Sequence, residues 1–435
     1  MDTLRDSLKN PETKKKILFS FLIVSVLCLL TIVPIPGLVH SAAMAKIEGW
    51  GSTGSVLDIL TCGALSNASI TSLGIYPFLI ASIVVQIVAI CVPKLRQLSE
   101  LGDEGTKIIS KLTRIAALIG SVVYAVLFCV GMRDAVVPTI NFWVAIVLCG
   151  VSVAVGSAFC GWCVELLNKK GIGNGLTIII LAGVIHNVPR DLLTPFFDAS
   201  ILGVVPALLY MIAGILCMIG MLILVLIVNM GEKKLRILFQ KRTVGMRQYG
   251  MPNQVLPLKV AQAGVTPIIY AMAFATLISV IVAMVAPGSE NYWLKGFINF
   301  PTSVLFIFVY IILLVFFTTI FTMMQFNPMD MSNQLKQNGG YIQGLRPGKQ
   351  TSQYLLNLSS NLNSFDCFYM IFVCIIPMAL HFIPTLNNIA FCGVGLILLG
   401  GGFIEIKTLL DNDLKAQEEK AKQAGKEKKR KGYNK

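Results

Sequence analysis

Long charge-free runs dominate this chain. They cover 17–45, 59–93, 115–132, 135–164, 171–189, 199–231, 260–289, 296–329 and 367–404. A helix needs about 20 predominantly apolar residues to cross a bilayer. The pattern predicts ten spans, at 17–36, 70–92, 113–132, 141–164, 174–192, 203–229, 265–287, 302–326, 367–384 and 389–407. The last run has 38 residues. As one helix it would measure about 57 Å at 1.5 Å per residue, nearly twice a hydrocarbon core. His381, Pro384, Asn387 and Asn388 interrupt it and predict two helices.

One apolar stretch does not fit a span. Ser55 to Ser66 carries Val56, Leu57, Leu60 and Leu65 at helical spacing. About three turns cannot cross a bilayer. The segment is therefore an interfacial helix or a re-entrant piece buried among other helices.

Loop charge orients the spans. Ten spans put both termini on one side, and that side holds 32 of the 36 Lys and Arg residues. Only Lys46, Arg133, Arg190 and Lys295 fall on the other side. Positive loops mark the cytoplasmic face. A nine-span arrangement would put the basic tail outside. Lys14, Lys15 and Lys16 before an apolar stretch, with Ser41-Ala42-Ala43 beyond it, resemble a signal peptide. The stretch ends in Pro34-Ile35-Pro36-Gly37, and an uncleaved first span is the better reading.

Composition agrees. The 435 residues are 55% hydrophobic and 13% charged, against about 25% charged in soluble domains. The net charge of +14 lies between apolar runs. It points to a membrane interface rather than direct DNA binding. Most of the 11 cysteines sit in apolar stretches, with no zinc-like spacing. Cys160-Gly161-Trp162-Cys163 fits C-x-x-C, but an apolar setting favours packing over redox work. No carboxylate, His or Lys cluster lines the spans as in a pump, and no nucleophile-base-oxyanion constellation appears. These absences argue against a proton-coupled solute carrier and a membrane enzyme.

Two features need more than a bundle. Gly171-Ile172-Gly173-Asn174-Gly175 opens the fifth span. Its glycines permit close backbone approach, and the following Leu176-Thr177-Ile178 excludes a phosphate loop. The loops 231–262 and 327–365 are long and rich in Arg, Lys, Gly and Pro, which suggests a docking surface.

The motifs together resemble the SecY family, channel subunits of the bacterial protein-export translocon. The blocks are Ile35-Pro36-Gly37, Gly63-Ala64-Leu65-Ser66, Leu73-Gly74-Ile75-Tyr76-Pro77, Ala81-Ser82-Ile83 and the Gly171–Gly175 run. Leu256-Pro257-Leu258-Lys259, Ala263-Gly264-Val265-Thr266-Pro267, Phe326-Asn327-Pro328 and Gly344-Leu345-Arg346-Pro347-Gly348 follow in order. They span about 14 to 410. Two stretches depart from the pattern. Leu235-Arg236-Ile237 stands where many members have an arginine-isoleucine-proline turn. Asn229-Met230 stands where a Glu-Arg pair is common.

The resemblance implies an all-α, polytopic membrane protein. Ten transmembrane helices would form two inverted five-helix halves around a central pore, with a short re-entrant plug helix. The expected division is a cytoplasmic N-terminus at 1–16, halves at 17–195 and 196–410, a plug at 55–66 and a basic tail at 411–435. The resemblance places a pore ring on Ile75, Leu79, Leu176, Ile180, Ile269 and Leu398, where aliphatic side chains form a dewetted constriction. The plug would use Ser55, Leu57, Asp58, Leu60, Gly63 and Leu65. Arg346, Lys233, Lys234, Lys241, Arg242 and Arg247 would dock a motor or ribosome. Ser82, Gln86 and Thr276 would lie near a lateral gate. The implied partners are SecE, SecG, the SecA motor, the ribosome, secretory preproteins, nascent membrane proteins and the bilayer. The implied location is the bacterial cytoplasmic membrane, and no cofactor is implied.

Overall fold

The computed structural model describes residues 11–48, 51–92, 95, 103–137, 141–197, 204–239, 242–244, 247–249, 254–285, 303–337, 339–346, 348–380, 395, 397–408 and 410. Its helices are α1 (Pro11–Leu30), α2 (His40–Glu48), α3 (Gly51–Leu60), α4 (Tyr76–Cys91), α5 (Asp103–Gly131), α6 (Phe142–Lys170), α7 (Gly175–Phe197) and α8 (Val204–Met230). After four strands come α9 (Thr266–Val285), α10 (Val304–Gln325), α11 (Pro328–Gln337) and α12 (Lys349–Leu380). A last helical stretch, α13, runs over 397–408. Among the described residues, five helices are long and apolar enough to cross a membrane, and three shorter apolar ones accompany them.

Large apolar side chains face outward along these helices. Phe21 is 70% exposed, Trp143 77% and Phe368 71%. A water-soluble surface would not carry so many. Hydrocarbon around the helices accounts for them, with backbone polar groups bonded inside each helix.

The chain divides into two units, residues 1–191 with 402–435, and residues 192–401. In the first unit, α4 packs on α5, α5 on α6, and α1 and α4 on α6. In the second, α9 packs on α10, α10 on α12, and α11 on α12.

Several boundaries differ from the hydropathy pattern. Helix α1 stops at Leu30, six residues before the expected end, because Pro34 and Pro36 cannot extend it. The following residues pair elsewhere. Ile35 N–H donates to Ala68 O at 3.2 Å, Ile70 N–H to Val33 O at 3.0 Å, and Val39 N–H to Ala135 O at 2.8 Å. Helix α4 begins at Tyr76 rather than 70, with Pro77 in its first turn, where a missing N–H costs nothing. Helix α12 begins at Lys349, well before the expected 367. Its polar first half buries Thr351, Leu355 and Leu358 on one face, a periodicity that a search for uniform apolarity passes over. The expected break at 381–388 lies outside the described residues.

The long loops contain the strands. They are β1 (Glu232–Phe239), β2 (Arg242–Val244), β3 (Arg247–Tyr249), β4 (Gln254–Lys259) and β5 (Gly340–Ile342). One sheet has the order β4-β1-β5 and the other pairs β2 with β3.

Candidate functional site

The short apolar segment is helix α3 in its first part only. It has ten residues, about 15 Å, half a hydrocarbon core. The expected 55–66 helix stops at Leu60 because the chain turns left-handed at Cys62 (φ 58°) and Gly63 (φ 79°). Asp58 closes the turn. Its carbonyl accepts Gly63 N–H at 3.0 Å, and its Oδ1 accepts Ser66 N–H at 2.9 Å. A buried carboxylate satisfied this way fixes the exit of the helix.

Helix α7 provides the seat. A Cβ at Gly183 would lie 2.1 Å from Ile59 O, and one at Gly63 would lie 2.4 Å from the His186 ring. Cys62 Sγ donates to Ile179 O at 3.3 Å. Ile179, Gly183 and His186 recur at 4 and 3 residues, so they share one face of α7. Burial pushes the Cys62 pKa up to about 12, so this non-spanning thiol remains a neutral donor. Leu57, Asp58, Leu60 and Leu65 are buried, as is Gly63. Ser55 lies on α3. Leu60, Thr61, Cys62, Gly74, Ile75 and Ile179 help to line one small pocket. The tip of the short segment thus shares a small pocket with one expected ring residue.

The expected ring residues of this unit are all buried. Ile75 is the N-cap of α4, and Leu79 N–H donates to Ile75 O at 2.9 Å, so the two side chains share a face. Leu176 and Ile180 share a face of α7. The glycine run before them is a tight turn from α6. A Cβ at Gly171 would lie 2.6 Å from Leu167 O, and one at Gly175 would lie 2.5 Å from Val164 O. Asn168 Oδ1 accepts Gly175 N–H at 2.6 Å. Asn174 Oδ1 accepts Leu176 N–H at 3.1 Å, and Ser20 Oγ accepts Ile172 N–H at 3.2 Å. The first two donors freed at the helix start, Gly175 and Leu176 N–H, are thereby met. In the second unit Ile269 on α9 and Leu398 on α13 are also buried.

The basic loops form one platform in the second unit. β1 pairs with β4 from Glu232↔Lys259 to Ile237↔Gln254. It also pairs with β5 through Ile237↔Ile342 and Phe239↔Gly340. Leu235, Leu258, Ile342, Leu355 and Leu358 form the core beneath, with Leu345 packed against it. Alternation then turns Lys234 and Arg236 outward, and Lys233 is exposed too. Arg346 is exposed beside the anchored Leu345. Thr351 Oγ1 donates to Arg346 O at 2.9 Å, and Gly344 and Gly348 take φ of 88° and 108°. Among the described residues the guanidinium has no bonded partner, while its backbone is fixed. Arg242 and Arg247 lie on β2 and β3. Lys241 lies outside the described residues.

Ser82 and Gln86 sit on α4 and Thr276 on α9. Ser82 Oγ donates to Leu79 O at 2.8 Å and Thr276 Oγ1 to Ala273 O at 2.9 Å. Both hydroxyls satisfy their own helices.

Residues 69–406 match the SecY family. The chain belongs to the SecY family. SecY relatives agree over most of its length. The protein translocase subunit SecY of Haemophilus influenzae is 32% identical over 374 residues, 84% of each chain. That of Buchnera aphidicola is 31% identical over 382 residues, 85% of each chain. Among solved structures, a protein-conducting channel superposes with a TM-score of 0.63 at 18% identity, covering 92% of each chain. A SecY structure described by a plug domain that stabilises the closed channel gives 0.62 at 20%, also covering 92% of each. As a SecY-family member, this chain is a multi-pass membrane protein and a translocase channel subunit, not an enzyme.

Sequence reasoning missed the α7 seat. Ile179, Gly183 and His186 look like ordinary span residues, and only the fold brings the segment from Ile59 to Gly63 onto them. The link between the two basic loops through β5 was missed for the same reason.

Proposed function

We propose that this SecY-family channel passes unfolded secretory proteins across the bacterial cytoplasmic membrane and releases apolar segments sideways into lipid. The observation that carries this reading is the seating of α3 and its exit turn against α7, beside a pocket that Ile75 also lines. A ten-residue helix that cannot span, yet is buried from Leu57 to Leu60 with Asp58 bonded into its exit turn, suits a removable stopper. Helix α3 and the turn to Leu65 act as the plug. Ile75, Leu79, Leu176, Ile180, Ile269 and Leu398 contribute an aliphatic constriction. Such side chains repel hydrated ions and grip no particular peptide sequence.

Both termini face the cytoplasm, as the 32 of 36 basic residues on that side support. The platform bearing Lys233, Lys234, Arg242, Arg247 and Arg346, together with Lys241, receives the SecA motor or the ribosome. Small SecE and SecG subunits complete the complex. Ser82, Gln86 and Thr276 lie along the lateral gate, where signal sequences leave the pore. The driving force comes from the partner, so the channel itself needs only a path and a seal.

The test is reconstitution with SecE-like and motor partners, followed by ATP-dependent transport of a secretory precursor. The expected result is full-length precursor protected from protease inside vesicles. An assembled complex that protects none under any condition would overturn the proposal.

A further inference from the structure

Cys129 and Cys149 stand apart from the plug, the ring and the platform. Cys129 is third from the end of α5, and Cys149 is eighth in α6. These helices are consecutive and packed together. Cys129 Sγ donates to Cys149 Sγ at 3.0 Å. Both thiols are free, and their residues are only 3% and 1% exposed. Gly150 borders the contact, and a Cβ there would lie 3.7 Å from Cys129 Sγ, at ordinary van der Waals distance. Ala145 and Val153, one turn to either side of Cys149, are buried apolar residues. A disulfide needs the sulfurs about 2.05 Å apart. Closing by roughly 1 Å is within reach of side-chain rotation and a slight approach of the two packed helices. Two inert packing thiols need only fill volume. These two already face each other sulfur to sulfur across a helix pair.

We propose that Cys129 and Cys149 are a dithiol modification site that closes to a reversible disulfide and ties α5 to α6. A membrane-permeant diazenedicarboxamide is a suitable two-electron oxidant. One sulfur adds to a nitrogen of its N=N bond, and the second sulfur then attacks the first, breaking the S–N bond so that the nitrogen leaves. One S–S bond forms, two S–H bonds break, and the reagent leaves as the hydrazine. It carries away both thiol protons and two electrons. A small dithiol such as dithiothreitol reverses the closure by exchange.

The full-length chain is oxidised in vesicles and, separately, in mild detergent. It is then alkylated under denaturing conditions and cut with trypsin without reduction. Cleavage after Arg114, Arg133 and Lys169 separates Cys129, on peptide 115–133, from Cys149, on peptide 134–169. The expected product is one species containing both peptides, with fragmentation placing the bond at Cys129–Cys149. Reduction should restore the two peptides. Cys129→Ser and Cys149→Ser should each abolish the species, while Cys160→Ser should leave it unchanged. Alkylated Cys129 in both preparations, or a bond from Cys129 to Cys160, Cys163 or another chain, would overturn the proposal.

Discussion

The plug seat and the basic platform solve opposite problems. At the seat, backbone meets backbone. Gly183 admits Ile59 O, Gly63 admits the His186 ring, and Asp58 ties off the turn. No side chain can be added there without moving the segment. On the platform, five buried apolar residues and two strand pairings carry the structure, and Lys233, Lys234, Arg236 and Arg346 are exposed on it. Chemistry and support are separable on the platform and inseparable at the seat. Substitutions should reveal that difference.

The largest effect is expected from Arg346→Glu. Motor-driven transport should fall to background. The sheet should survive, because the loop is fixed through Leu345 and the Arg346 carbonyl rather than the guanidinium. Precursor protection and amide exchange over 232–239, measured on one preparation, check both halves. Faster exchange there would show that charge and support are not separable.

Leu355→Ala should do the reverse. Removing a fully buried leucine costs about 2–5 kcal/mol, and exchange should rise across 232–239 and 340–342. Unaltered exchange would remove the five-residue core from the account.

Gly183→Leu should unseat the plug. Overpacking costs about 1–3 kcal/mol, which shifts the seating equilibrium by roughly five- to 150-fold. Ion conductance of the idle channel in planar bilayers should rise accordingly. Unchanged conductance would mean that α3 does not seal the path.

Thr351→Val should have the smallest effect. Loss of its bond to the Arg346 carbonyl costs about 0.5–1.5 kcal/mol. The expected outcome is a transport rate reduced several-fold, against background for Arg346→Glu. A rate equal to wild type would show that the loop needs no such anchor.

Much of this was legible in the sequence. Each of the ten apolar segments contains helix, because about 20 apolar residues in a bilayer have few other ways to satisfy their backbone. The short segment announced itself by length. The glycine run before Leu176 signalled close approach, and Gly171 and Gly175 meet backbone carbonyls. Less legible were features set by distant partners. Pro34 and Pro36 mark a break after α1, but they do not show that the residues beyond it pair with 68–70 and 135–137. The polar half of α12 is ordered by a core that includes Leu235 and Ile342, more than a hundred and about ten residues away. Asn229, at a departure from the family pattern, donates to Tyr369 Oη at 3.3 Å on α12. Asp366 there accepts Ala263 N–H at 3.0 Å. Neither partner could be chosen from sequence spacing.

The most direct test asks whether a moving polypeptide passes the aliphatic residues. A photoreactive benzophenone side chain is placed at Ile180, at Ile269 or at the lipid-facing Ile119, and a secretory precursor is halted midway through transport. The account predicts cross-links to the precursor from 180 and 269 and none from 119. A protease-protected, halted precursor that cross-links to neither 180 nor 269 would contradict it.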